Sequence, residues 1–307
     1  MKTRILISII AGLFCWNTLS QTTANDWINQ GRSFLAVRDI GNANTAFAHA
    51  LALEPMNETA NAFYAVTRLL VLPSQPAGSN FLTRTGLPIA GRNIYNWTSL
   101  PPKDTNGIYL APSGVNANEF VAQMQTNILP AIVGAVGNIA AISHTNFTLT
   151  LNSNETTIAD VTMDYGDFKL IQAALYGAEY SIYTLNGQNL DAQLSDFRAL
   201  YTNGMLSVSH VLADYPHLFT FSNTNDFQKA RAAFTNGVNG YMTASAFIRS
   251  RPTNEVRLFN FYTHSAQSEG NFRLVLQDLK NSLLVGPQYF ALNPELAVDR
   301  PRNLTAT

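Results

Sequence analysis

The chain has 307 residues, is 46% hydrophobic and carries a formal net charge of −1. It can therefore build a large core, as one big helical domain or two smaller ones, and it has no basic excess of the kind that holds nucleic acid. Only 13% of its residues are charged, about half the usual share, and Asn, Thr, Ser and Gln take over the surface, a balance common in exported proteins.

The first residues point the same way. Lys2 and Arg4 give a basic start, Ile5 to Trp16 is an apolar run, and Ser20 to Ala24 supplies small residues for cleavage, the three-part layout of a secretory signal peptide over residues 1–24. The run is shorter than the roughly 20 residues that span a bilayer, so no stable membrane span is expected after cleavage. Cys15 would suit a lipoprotein, but Phe14 stands where that processing signal needs a small residue. Cleavage beyond Cys15 leaves no cysteine, hence no disulfide, no thiol nucleophile and no thiolate metal site. The expected location is secreted or periplasmic.

Residues 25–55 carry the most specific spacing. Asp26 suits the N-cap of a helix over Trp27 to Arg38, Asp39-Ile40-Gly41 breaks it, and a second helix runs from Asn42 to Leu53 until Pro55 stops it. Gly31, Ala43 and Ala50 let the two helices close up while Trp27, Phe34 and Phe47 fill the gap, so the pair reads as an antiparallel hairpin. In Trp27, Gly31, Phe34, Ala43, Phe47, Ala50 and Pro55 the segment resembles a tetratricopeptide repeat, with Gln30 in place of the usual Leu and Phe34 in place of Tyr. The resemblance covers one repeat, residues 25–58. It implies a helical array, and since one repeat cannot bury its own apolar face, the hairpin must dock on the helices that follow.

Glu58 to Leu72 continues as a helix with Phe63, Val66, Leu69 and Leu70 as its apolar set, which makes 25–72 one unit. Residues 73–115 read as an irregular loop containing a short helix near Asn80 to Thr85. Its Gly86 to Gly114 stretch is either a groove wall or a crossover packed by Trp97. From 116 to 285 the pattern is helical and continuous with the hairpin. A helix capped by Asn116 or Asn118 runs to about Ile142, kinked at Pro130. Phe147, Leu149 and Leu151 alternate as a strand that returns over Ile158 to Val161, one small β-hairpin near 146–162. Asp164 caps a strong helix with Asp167 completing the capping box, and Leu170, Ala174, Leu175, Ala178 and Ile182 form its buried stripe. Further helices follow over Leu190 to Tyr201, over Leu206 to Ala213, from an Asp226 cap to Arg249, and over Asn271 to Leu284. Residues 286–307, with three prolines, read as a tail or linker. The expected fold is all-α, an irregular helical bundle or short solenoid starting with the repeat-like hairpin.

Catalytic and metal motifs are missing from the sequence, so it leans against an enzyme, with no cofactor and no metal site expected. His210 and Asp214, one helical turn apart, read as a surface pair. The acidic trio Asp160, Asp164 and Asp167 is the best polar cluster, as a helix start or as a cation or carboxylate site, and Arg249, Arg251 and Arg257 form a basic spot at a helix end. Two functions fit. One is an exported scaffold that binds a protein or peptide, with Trp27, Tyr95 and Trp97 as contact residues. The other is a periplasmic or extracellular solute-binding protein or hydrolase, with a pocket near Asp160, Asp164, Tyr165, His217 and the 86–114 loop.

Overall fold

Thr23, rather than Asp26, opens the first helix, α1 (Ala24–Ala36). The Thr23 hydroxyl accepts from the Asp26 N–H at 3.2 Å while the Asp26 carboxylate takes the Thr23 N–H at 2.8 Å, so Asp26 is the far member of a capping box. The computed structural model describes residues 22–157, 159–252, 257–261 and 263–285; the signal-like segment before residue 22 and the tail from 286 lie outside the described residues. Asp39, expected only to break the helix, caps α2 (Ile40–Leu53) by accepting from the Asn42 N–H at 3.0 Å. The two helices approach until a Cβ on Gly31 would lie 2.5 Å from the Phe47 ring. Ala43, Phe47 and Ala50 are fully buried, and Phe47 stacks at 4.6 Å on Phe63 of α3 (Glu58–Leu70). On α3 the expected apolar set is partly misplaced. Val66 is exposed, and Ala60, Ala62 and Ala65 are buried instead, because the helix packs between α2 and a later helix and needs small residues on both sides.

Helix α4 (Pro76–Arg84) begins on a proline whose fixed φ suits a first turn. The following stretch holds a minimal antiparallel pair, β1 (Arg92–Asn93) and β2 (Asn96–Trp97). Trp97, expected to pin this crossover, is exposed and bonds only locally, its Nε1 donating to the Ser99 carbonyl at 2.9 Å. Two other residues pin it. The Arg92 guanidinium donates to the Ser79 carbonyl at 2.9 Å, the Pro88 carbonyl at 3.0 Å and the Thr83 hydroxyl at 3.0 Å, and Tyr95, at the turn between the strands, packs on the core beneath Arg38 at 4.8 Å.

Helices α5 (Ala117–Gln123) and α6 (Leu129–Ala140) are joined by a π turn, Met124–Ile128. The Leu129 N–H bonds five residues back, to Met124, so the wide turn sits where Pro130 would otherwise leave a gap in the ladder. By length and mean hydropathy the helical stretch Ala117–Ala140 is able to cross a membrane. Here it packs on α3 and on the central helix α8 (Tyr165–Asn186), with polar ties: Gln172 donates to the Val136 carbonyl at 3.0 Å, and Asn138 joins Arg68 and Asn61 at 2.8 and 2.7 Å. Between them lies the expected hairpin, β3 (Thr148–Leu151) and β4 (Val161–Asp164), with Leu149 opposite Met163. A single turn, α7 (Ser153–Thr156), connects them. The second strand starts at Val161 instead of ending there, because the Asn152 cap folds 153–156 into helix. Of the strand expected over 158–161, Ile158 lies outside the described residues.

Beyond α8 come α9 (Leu194–Thr202), α10 (Val208–Asp214), α11 (Thr224–Ser250) and α12 (Thr263–Leu284). Asn223, not Asp226, caps α11, and Asp226 instead takes the Asn223 side chain at 2.9 Å and Lys229 at 2.9 Å. The fold is all-α, an irregular bundle with two small two-stranded sheets among the described residues.

Besides Asp167, helix α8 buries a second carboxyl group further along its length. Glu179 is buried, and burial raises its pKa above the ordinary 4.5. Below pH 4.5 the group is protonated in both states. As pH rises through that value toward the raised folded value, the unfolded chain ionises more readily and stability falls. Glu179→Gln should therefore add about 1 kcal/mol at pH 7, roughly 2–3 °C in Tm, and little at pH 4. Thermal melts at both pH values test this; an equal gain at both would assign it to packing instead.

Candidate functional site

Helices α8 and α11 run antiparallel and close. A Cβ on Gly237 would stand 3.2 Å from Tyr176 Cβ, and one on Gly240 would stand 3.5 Å from Ala173 Cβ, so the small residues set the spacing and aromatic pairs fill the flanks, Tyr180 with Phe234 at 5.4 Å and Tyr165 with Phe247 at 5.3 Å. Helix α12 meets α11 through Phe272, edge-on to Tyr241 at 5.2 Å, and through Lys280, which donates to Asn239 at 2.7 Å. Between the three helices lies a cleft of about 540 Å³, within the 300–1,000 Å³ usual for small-molecule sites. Leu170, Ala174 and Leu175 of α8, Phe234 and Val238 of α11, and Leu276 of α12 are among its walls, and Phe259 also lines it.

Part of the stripe expected to be buried on α8 lines this cleft, and Ala174 is open to solvent. The buried face of α8 instead includes Asp167, Gln172 and Glu179. Helix α8 is apolar on more than one side because it sits between α6 and α11, and a single stripe does not describe such a helix.

Among the described residues that line the cleft, Tyr241 is the one with a polar side chain. Its hydroxyl donates to Glu269 at 3.4 Å, the Ser245 hydroxyl donates to the same carboxylate at 2.6 Å, and Arg273 reaches it at 2.9 Å. Burial first, then the Glu269 charge, push the Tyr241 phenol up to about 12, so it stays a proton donor throughout the neutral range. Phe259 is held from both sides by a buried ionic cluster: its N–H donates to Asp167 at 3.0 Å and its carbonyl accepts from Arg251 at 2.5 Å.

That cluster is where the acidic and basic groups of the sequence meet. Asp164 accepts the Gly166 N–H at 2.9 Å as the cap of α8 and also pairs with Arg251, which lies 3.1 Å from Asp167, and Arg257 stands 3.7 Å from Asp164. The other named residues lie apart from it. Asp160 is exposed and accepts from the Ser153 N–H at 2.6 Å, and His217 is exposed in the segment after α10. The His210 ring bonds the Met205 carbonyl at 2.6 Å. Trp27 is half-buried, stacked on His49 at 4.5 Å. Tyr95 lines a smaller cavity of about 220 Å³ with Leu149, Met163 and Glu155, where the 86–114 segment meets the hairpin. Among the described residues no group of three His, Cys, Asp or Glu stands where it could hold a metal ion.

Sequence reading missed Glu269 and Ser245. The i,i+4 spacing of Glu269 and Arg273 on α12 was a usable signal, but Ser245 joins them only across α11 and α12. Compared with known proteins, the chain matches no family model, no curated protein and no solved structure.

Proposed function

We propose that the protein is an exported, non-catalytic helical binding protein that holds a small apolar ligand between α8, α11 and α12. The observation that carries this reading is the cleft of about 540 Å³ walled by apolar side chains with, among the described residues, a single polar edge at Tyr241, the usual make-up of a ligand pocket. Export rests on the basic, apolar and small-residue layout of the first 24 residues. Thr23 caps α1 and Ala24 is in the core, so cleavage before Thr23 keeps the first helix whole. The repeat-like α1–α2 hairpin serves in this reading as the first layer of the stack and not as the binding face. Its protein or peptide partner, expected from the repeat resemblance, gives way here to a small ligand.

The test is binding of N-phenyl-1-naphthylamine, a dye that brightens in apolar surroundings, to the mature chain. Saturable binding is expected, weakened about tenfold in Ala174→Trp, whose indole fills the cleft without entering the core. Unchanged binding in that variant, with its melting temperature preserved, overturns the assignment.

A further inference from the structure

At the Tyr241 end of the cleft the charges do not balance. Glu269 faces two guanidiniums, Arg273 at 2.9 Å and Arg249 at 3.9 Å, so among the described residues one positive charge is in excess. The acceptors there are spent: the Glu269 carboxylate already takes the Ser245 and Tyr241 hydroxyls and Arg273 Nε. The donors are not. Arg249 and Arg273 engage the protein through Nε alone, Arg249 with Ser245 and Glu269 and Arg273 with Glu269, so the Nη groups of both have no protein partner among the described residues. Both side chains are partly open to solvent, at 41% and 32%. A carboxylate matches what is left over, since it accepts paired N–H bonds from a guanidinium and cancels the excess charge.

The apolar part of the cleft follows α8 from Leu170 to Gly177, about 10 Å of helix, and its floor is kept narrow by Ala173, Gly177 and Gly237. We infer that the site takes a single-chain amphiphile with an anionic head, a long-chain carboxylate, its chain laid between α8 and α11 and its head at Arg249 and Arg273. This inference rests on the reading of the cleft as the ligand site.

The experiment displaces the bound dye from the full mature chain with dodecanoic acid, dodecanol or dodecylamine. The acid should displace it at about tenfold lower concentration than the alcohol, the amine should be weakest, and added salt should weaken only the acid. Arg273→Gln should erase the preference for acid over alcohol while leaving the alcohol unchanged. Arg249→Gln, at the more exposed of the two guanidiniums, should reduce it and supplies the test if Arg273→Gln does not fold. Equal displacement by acid and alcohol, or a full acid preference in both variants, overturns the anionic head. Such a result leaves the cleft reading standing as long as displacement by the alcohol is lost in Ala174→Trp. Failure of the dye itself to bind overturns both.

Discussion

Arg251→Met should cost about 3–5 kcal/mol of stability, roughly 10 °C in Tm. The Arg251 side chain is 6% exposed and pairs with Asp164 and, at 3.1 Å, with Asp167, themselves 7% and 0% exposed at their side chains. Among the described residues, two carboxylates and the two guanidiniums of Arg251 and Arg257 balance in charge. Removing Arg251 leaves a carboxylate buried without full compensation, and that desolvation penalty, more than the lost contact, sets the size of the effect. The cap bonds to the Gly166 and Asp167 N–H groups stay in place and hold the loss short of complete unfolding. Adding Asp164→Asn, which keeps a capping side chain, should restore part of the stability, and chemical denaturation of the single and double variants measures it. If the two losses simply add, the groups are not coupled and the ion-pair account is wrong. Because Arg251 also holds the Phe259 carbonyl, dye binding at temperatures where Arg251→Met remains folded should weaken as well.

The parts of that cluster were legible in the sequence, but their meeting was not. Asp164 and Asp167 read correctly as a capping box, and the arginines read correctly as cations at a helix end. Acids collect at helix N-termini and cations at C-termini for the same dipole reason. Once α8 and α11 pack antiparallel, the acidic start of one lies beside the basic end of the other. A local rule thus prepared a long-range ion pair that no local rule could announce. The all-α class and the hairpin over 148–164 were readable because alternation and capping act within a few residues. The misplaced caps share one cause: where two capping residues lie three apart, as Thr23 and Asp26 or Asn223 and Asp226 do, sequence alone does not say which one leaves the helix. The cleft was hidden for a different reason. Leu170, Ala174 and Leu175 are spaced as a buried stripe whether the neighbouring helix seals against them or stands off, and the distance to α12 depends on Phe272, Tyr241 and Phe259, far apart in the chain.

Close helix approach was the most accurate reading of all, and it leads to a quantitative test at Gly31. On an isolated helix Gly31→Ala would gain about 1 kcal/mol. In this fold the new methyl would sit 2.5 Å from Phe47 Cε1 and 2.6 Å from Cζ. The ring is hemmed in: Phe47 is 0% exposed and stacks on Phe63 with the centroids 4.6 Å apart and an interplanar angle of 4°, with Arg32 on the Phe63 ring at 5.4 Å. Gly31→Ala is therefore expected to lose about 1–3 kcal/mol despite its helix propensity, and Phe47→Ala about 3–5 kcal/mol. The two changes should offset each other in part, since truncating the ring opens the space the methyl needs, with a coupling of about 0.5–3 kcal/mol. Urea denaturation of both single variants and the double variant reads that coupling directly. A stabilising Gly31→Ala would mean that α1 and α2 stand further apart than the Phe47 contact requires, and the tight pair against which α3 packs would have to be redrawn.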